Sequence, residues 1–189
     1  EESFNGVPLV TTKTAFRLRK IGEIGISWMG GVYNKFESEG VVLDKRRRVD
    51  LLAVDLNTTI PKVGTYINGE FVWAMIDVPG TFTEQFGKKQ RGGFLDIVQP
   101  VLRRKMFGWE NSTLNLAFRT EYVDYNQGNF EATGGNIADH IFAIVPGISF
   151  RPSQQTVIRF NYRYHWQTDP LGNPAARTAG FQFGFSTYF

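Results

Sequence analysis

Basic side chains share one face of a segment near the end of the chain. Arg159, Arg163 and His165 share one parity, and mostly apolar residues occupy the positions between them. Two arginines on one face can receive an oxyanion, because each guanidinium offers a fork of N–H donors. They can equally form ion pairs with a carboxylate such as Glu121 and stiffen the surface. The residues leave both roles open.

The same alternation predicts a wider set of charged residues on one face. Its basic members are Lys13, Arg17, Arg19, Arg119, Arg159 and Arg163, with His165 adding charge at low pH, and its acidic members are Asp55, Glu70 and Glu121. Inside a water-filled pore such charges set ion selectivity, because the low-dielectric surroundings focus their fields on a permeating ion. The excess of basic residues predicts a mild anion preference, while ion pairing along the wall is the structural alternative.

Other chemistry is not indicated. With two histidines and no cysteine, a zinc site is not expected. Neither His140 nor His165 has a hydrolase-like serine and carboxylate nearby, and no glycine pair precedes a helix as a phosphate-binding loop requires. The 21 basic and 18 acidic residues are too evenly balanced to indicate a nucleic-acid partner. We therefore expect no enzyme, no cofactor and no metal.

The elements that must position these charges are β-strands. Val157 to Gln167 places Ile158, Phe160 and alternate aromatic residues on one face and polar residues on the other, which a helix would mix. Similar segments predict nine strands in total. In Gly92 to Arg104 the polar residues Asp96 and Gln99 have opposite parities, which predicts either a bulge or a register different from the one assigned here. Ile141 to Phe150 is apolar on both faces and contains Pro146, which predicts a kink or packing against something inside.

The predicted connections alternate in length. The short ones are Lys20 to Glu23, Pro61 to Gly64, Phe107 to Asn111 and Arg151 to Gln155; the long ones are Lys35 to Arg48, Thr81 to Gln90, Asn126 to His140 and Thr168 to Arg177. Transmembrane barrels have tight periplasmic turns and long extracellular loops. Single-chain bacterial barrels usually have an even strand number, so nine predicts at least one strand upstream. We expect residues 1–189 to be the C-terminal part of one transmembrane antiparallel up-and-down β-barrel.

Composition favours a membrane sheet over a soluble one. Aromatic residues make up 15% of the chain, yet the mean hydropathy is only −0.24, as expected when one face meets lipid and the other water. No apolar run is long enough for a membrane-spanning helix. A soluble β-sandwich or a lipocalin-like binder is the alternative, although sandwich cores usually favour aliphatic residues.

The end of the chain resembles the C-terminal signal that the barrel-assembly machinery recognises on outer-membrane proteins. The residues that carry this resemblance are Phe181, Phe183, Phe185 and the terminal Phe189. Thr187 departs from the aromatic residue often found two places before the end. The resemblance implies the assembly machinery as a partner during biogenesis.

A second resemblance covers most of the chain. Its segments are Ile144 to Ser153 (IVPGISFRPS), Thr156 to Tyr164, Leu171 to Pro174, Glu121 to Tyr125 and Glu23 to Ser27. Together they resemble the C-terminal half of phosphate-selective porin-like (O/P type) proteins, which are common in Bacteroidetes-type outer membranes. The resemblance implies a barrel of roughly sixteen strands and implies phosphate selectivity less firmly.

These expectations define two functions. The first is an outer-membrane porin-like channel for passive diffusion of small solutes, embedded in outer-membrane lipid, with long loops extracellular and the C-terminus periplasmic. The second is a structural or accessory barrel subunit of an outer-membrane complex, in contact with other subunits or with copies of itself. The doubly apolar segment Ile141 to Phe150 motivates the second, because a wet interior gives Ile141 and Val145 no reason to be apolar.

Overall fold

Strands account for all the regular secondary structure in the computed structural model, which describes residues 6–18, 22–80, 87–130 and 132–188. In chain order they are β1 (Val10–Leu18), β2 (Gly22–Val32), β3 (Glu37–Ser38), β4 (Val41–Val42), β5 (Arg48–Ile60), β6 (Thr65–Ile76), β7 (Lys89–Met106), β8 (Trp109–Asp124), β9 (His140–Arg151), β10 (Thr156–Gln167) and β11 (Ala176–Thr187). The described ranges contain no helix long and apolar enough to cross a bilayer.

Nine of these strands form one antiparallel up-and-down sheet in the order β1-β2-β5-β6-β7-β8-β9-β10-β11. The predicted strand number is therefore confirmed for the main sheet. The short β3–β4 hairpin lies in the connection between β2 and β5, where the sequence predicted only an irregular polar loop.

The hydrogen-bond register carries the alternation of each strand across the whole sheet. One row of directly opposed residues runs through Ala15, Gly25, Asp55, Glu70, Phe94, Glu121, Ala143, His165 and Thr178. The face that contains this row is called the charged face. The opposite face is called the apolar face and includes Trp28, Leu52, Trp73, Phe118, Phe142, Phe160, Tyr162, Trp166, Phe181, Phe183 and Phe185.

The apolar face is uncovered in the described chain. Phe118, Phe160 and Phe183 expose 44%, 45% and 74% of their surface. The second sheet has only two short strands, so no second layer buries these rings as a sandwich core would. Aromatic pairs nevertheless extend along the face, including Phe142 stacked on Trp166 at 5.6 Å between ring centroids. An apolar surface of this size needs an apolar environment or a partner.

The connections alternate as predicted between a short-turn edge and a long-loop edge. The four-residue turn at 61–64 matches the prediction. The predicted turn Phe107 to Asn111 was too long, because Trp109 already pairs with Met106. Phe107 and Gly108 have φ of 51° and 85°, and two positive φ values in a two-residue hairpin match the right-handed twist of its strands.

β7 contains the predicted bulge. Its pairing with β8 shifts between Pro100 and Leu102 and again between Arg104 and Met106. Before the bulge, Asp96 lies on the charged face and Gln99 on the apolar face. Gln99 is satisfied locally, since its amide accepts a hydrogen bond from Thr65 and donates one to the carbonyl of Val63.

The two outermost strands, β1 and β11, do not pair with each other, so the sheet formed by the described residues is open. The strands are staggered unevenly, since β7 continues for twelve residues beyond the row defined above, from Phe94 to Met106, whereas β9 continues for eight, from Ala143 to Arg151. In the row defined above, Ala15 lies three residues before the end of β1 and Thr178 lies nine before the end of β11. A net shift between the outer strands means that the strands are tilted relative to the edges of the sheet. Closed barrels require such a tilt.

Candidate functional site

The charged face brings together every described residue that the sequence predicted for the site. These are Lys13, Arg17, Asp55, Glu70, Arg119, Glu121, Arg159, Arg163 and His165. Arg19 lies outside the described residues. The register adds Glu23, Asp96, Arg103 and Arg151, which the sequence argument missed. Asp96 was missed because Gln99, at the opposite parity, left the facing of this strand ambiguous.

A four-residue ion-pair chain occupies the middle of this face. The Arg119 guanidinium donates to Asp96 at 3.0 Å and to Glu121 at 2.7 Å. Arg163 lies 2.6 Å from the other oxygen of Glu121. Arg119 also lies over the ring of Phe94, 4.2 Å from its centroid. Arg163 therefore has the wall-stabilising role that the sequence left open, because its guanidinium is already paired.

The Arg163–Glu121 pair crosses an intervening strand, which explains why β9 is apolar on both faces. Glu121 is on β8 and Arg163 on β10, so their side chains meet above β9. The β9 residues beneath the pair are Ala143, opposite Glu121, and Val145, opposite Arg119. Ala143 is 0% exposed and Val145 is 7% exposed. Short apolar side chains leave space for the bridge and need no polar partner of their own.

A second strand-crossing pair follows the same rule at the other side of the sheet. Lys13 on β1 donates to Asp55 on β5 at 2.9 Å, across β2. Gly25 on β2 lies directly opposite Asp55, and a Cβ at Gly25 would overlap the Asp55 carboxylate. Arg17 and Glu23 form a more exposed pair at 3.3 Å. Most of the predicted basic residues are thus neutralised by acids on the same face.

Arg159 differs from Arg163 although both have the same parity. Arg159 lies opposite Ser149 and Gly184, and within the described ranges it forms no ion pair. Arg151 on β9 is a diagonal neighbour of Arg159 on β10, so the Cα atoms of the two arginines lie roughly 7–8 Å apart. They line one cleft of about 590 Å³ near the short-turn edge, together with Asn161. Unpaired positive charge on the charged face is thereby concentrated in this region, called the arginine cleft.

Two buried polar residues form the floor of the arginine cleft. Asn115 and Ser149 are 5% and 8% exposed, and the Asn115 amide donates to the Ser149 hydroxyl at 3.1 Å. This hydrogen bond forms within the pair and involves neither guanidinium group.

The charged face becomes apolar toward the long-loop edge. Leu51, Val72, Ala74 and Val123 line a cleft of about 580 Å³ there, and Ile141 lies directly opposite Val123. These five residues are called the inner apolar patch. Of these five residues, the sequence argument singled out only Ile141.

The connections at the long-loop edge are linked to each other by Arg47. This side chain is only 9% exposed, and its Nε and Nη2 donate to Asp44 at 2.6 and 2.9 Å. Its Nη1 donates to the carbonyl of Val78 in the next connection at 3.0 Å. The side-chain hydrogen bond from Arg47 is the main cause that lowers the pKa of Asp44.

The predicted assembly-signal residues lie at the outer edge of the sheet. Phe181, Phe183 and Phe185 expose 72%, 74% and 62% of their surface on the apolar face of β11. Phe189 lies outside the described residues. The structure therefore presents three rings on β11, an edge strand that in the described chain pairs only with β10.

The described part of the chain contains no group of side chains that could hold a metal ion. Comparison of the chain with family models, with curated proteins and with solved structures found no match.

Proposed function

We propose that this chain forms part of the wall of a water-filled outer-membrane β-barrel, a channel for passive diffusion of small solutes with a mild anion preference. One observation supports this most strongly. Across nine consecutive strands, a single register separates an uncovered aromatic face from a face of ion-paired charges. Lipid suits the first face and water the second, and a transmembrane barrel provides both.

The proposal includes further strands that join β11 to β1. In a bilayer an open sheet edge would leave backbone N–H and C=O groups unpaired in hydrocarbon. β1 and β11 run in the same direction because seven strands separate them in an antiparallel sheet. An antiparallel closure therefore needs an odd number of additional strands, in line with the even totals of bacterial single-chain barrels.

The ion pairs refine where selectivity resides. Arg119 and Arg163 are neutralised by Asp96 and Glu121, so they contribute little net field. The arginine cleft retains unpaired positive charge, and its two guanidinium groups suit carboxylate or phosphate oxygens. We assign the anion preference to Arg151 and Arg159.

Planar-bilayer recordings of the full-length protein test both parts of this proposal. We expect step-like conductance and a reversal potential in a KCl gradient that indicates a modest excess of chloride flux. The double variant Arg151→Gln, Arg159→Gln should move that potential toward zero. Arg104→Gln is the control, to be compared with each single variant, Arg151→Gln and Arg159→Gln, since it removes one positive charge near the same edge but from the apolar face. Absence of conductance contradicts the channel, and an equal shift in the control contradicts the assigned site.

The inner apolar patch supports the second function, an accessory barrel whose interior is occupied. Val145 no longer motivates that idea, since it lies beneath an ion pair, but Ile141 belongs to the inner apolar patch, none of whose five residues has a polar side chain, although Gln90 and Glu70 line the same cleft. An occupied interior predicts a silent bilayer for the native complex and co-purification of another subunit in stoichiometric amount. Isolation of the protein alone, with full conductance, contradicts it.

A further inference from the structure

The long-loop rim of the apolar face carries charged residues immediately beyond its aromatic residues. Its basic members are Arg48, Lys89, Arg91 and Arg177, and its acidic members are Asp50 and Asp124. The register places Arg91 opposite Trp73 and Arg177 opposite Trp166. Tryptophan is typical of the depth at which a barrel meets lipid headgroups. This group of charges is called the cationic rim.

Ion pairs within the rim leave part of its positive charge unpaired. Arg48 lies 3.4 Å from Asp50, and Arg91 lies 3.5 Å from Asp124. The Arg91 guanidinium also lies 5.6 Å from the centre of the Tyr122 ring. Among the described residues, Lys89 and Arg177 have no carboxylate partner. Both are exposed, and they flank the paired residues from β7 and β11.

The opposite rim of the same face has a smaller excess of positive charge. Near the short-turn edge, Arg104 and Glu110 have the apolar-face parity, and Glu110 forms an ion pair with Lys105. Among the described residues this rim therefore has one cation without a carboxylate partner, Arg104, where the cationic rim has two. The two ends of one apolar surface therefore differ in net charge. A surface that only needed solubility in water at both ends has no reason to be asymmetric in this way.

We propose that the cationic rim binds the phosphate groups of anionic lipids in the leaflet next to the long loops. This inference rests on the proposed membrane barrel. The tryptophans fix the depth, and Lys89 and Arg177 project at that depth toward lipid rather than toward the channel. Because the two cations are on strands β7 and β11, four strand spacings apart, they lie roughly 19 Å from each other. They contact separate phosphates along a belt rather than one phosphate in a pocket.

Spin-labelled lipids in vesicles that contain the folded full-length protein test this inference. The probes are spin-labelled phosphatidic acid and spin-labelled phosphatidylcholine in a phosphatidylcholine host, and the readout is the fraction of each whose motion the protein restricts. Near a membrane surface each Lys or Arg attracts anionic lipid by about 1 kcal/mol, roughly a fivefold preference at low salt. Because the restricted lipids also include those that contact parts of the barrel without these cations, we expect about a two- to fivefold preference for phosphatidic acid.

The double variant Lys89→Gln, Arg177→Gln should reduce this preference to near unity, and the charge-conserving variant Lys89→Arg, Arg177→Lys should retain it. Arg104→Gln, which removes the single unpaired cation of the opposite rim, is the control and should reduce the preference by less than the double variant does. An unchanged preference in the double variant, or no preference in the wild type, overturns the inference while leaving the barrel in place. If neither lipid is restricted, the protein does not present its apolar face to lipid, and the proposed function fails together with the inference.

Discussion

The loss in free energy of unfolding caused by an added charge on β10 tests the assignment of the two faces. The apolar residues of β10 extend from Ile158 to Trp166, which is roughly 27 Å along the strand at about 3.4 Å per residue. A strand tilted by about 40° spans roughly 21 Å of membrane depth over that length. Tyr162 lies halfway, so it is near the bilayer midplane if the proposal is correct.

An arginine at Tyr162 should therefore destabilise the folded protein by about 2–4 kcal/mol, the cost of a lipid-facing Arg at the midplane of a barrel. The same change at Trp166 should cost about 0–1 kcal/mol, because that position lies at the interface. Asn161→Arg is the matched control, one residue away on the charged face, and should stay within about 0.5 kcal/mol. Tyr162→Ala separates the loss of the ring contact with Phe181, whose centroid lies 5.2 Å away.

Equilibrium unfolding by urea of the protein folded in phospholipid vesicles measures these free energies, with tryptophan fluorescence as the signal. The expected order of cost is Tyr162→Arg, then Trp166→Arg, then Asn161→Arg. If Asn161→Arg costs as much as Tyr162→Arg, the reasoning about faces is wrong. If Trp166→Arg is the more costly of the two apolar-face variants, the depth assignment is wrong.

Three further predictions concern the ion pairs and the loops. Glu121→Gln should lower the free energy of unfolding by about 1–3 kcal/mol, since it weakens two hydrogen bonds to charged groups, and should increase the anion preference. Glu70→Gln is the control, since Glu70 forms no ion pair among the described residues, and it should leave stability nearly unchanged. Equal losses of stability in the two variants would contradict the ion pairs of Glu121 with Arg119 and Arg163. Ala143→Leu should displace the Glu121 carboxylate and destabilise by about 1–3 kcal/mol through overpacking, whereas a neutral result in the same urea titration would show that the site is open. Arg47 lowers the pKa of Asp44, so the contribution of this contact to loop stability is complete above the ordinary carboxyl value near 3.8 and is lost as the pH falls through the lowered pKa. Hydrogen exchange should show that the backbone amides of residues 33–47 lose protection as the pH falls through this pKa. Asp44→Asn should abolish that pH dependence. Protection that increases on acidification would contradict the stabilising role of the ionised Asp44.

The sequence was sufficient for the parts of the fold that depend on local alternation. Strand number, the two faces and the alternating connections follow from a period of two within single segments. A bulge in β7 was expected from the opposite parities of Asp96 and Gln99, but the shift in register follows both residues, between Pro100 and Leu102, and the two side chains simply lie on opposite faces of regular strand. The β3–β4 hairpin was not, because two-residue strands carry no measurable periodicity.

The candidate site could not be resolved from the sequence, because ion pairing depends on register between strands. Arg159 and Arg163 are equivalent in parity and type, yet the register puts Glu121 within reach of only Arg163. The apolar residues of β9 looked like a docking surface until the strand-crossing pair above Ala143 and Val145 gave them a local cause. Contacts that skip a strand have no signature in either segment alone.

Alternating solvent access along β10 is the most direct test of the central claim, that the aromatic face meets lipid and the charged face meets water. The chain has no cysteine, so single cysteine substitutions at positions 158–166 give unique labelling sites. In vesicles, we predict that a water-soluble maleimide reacts with cysteine at Arg159, Asn161, Arg163 and His165 and not at Phe160, Tyr162 and Tyr164, and that cysteine at Ile158 and Trp166, at the two interfaces, reacts to an intermediate extent. Equal reactivity at both sets, or the reverse pattern, would contradict the account.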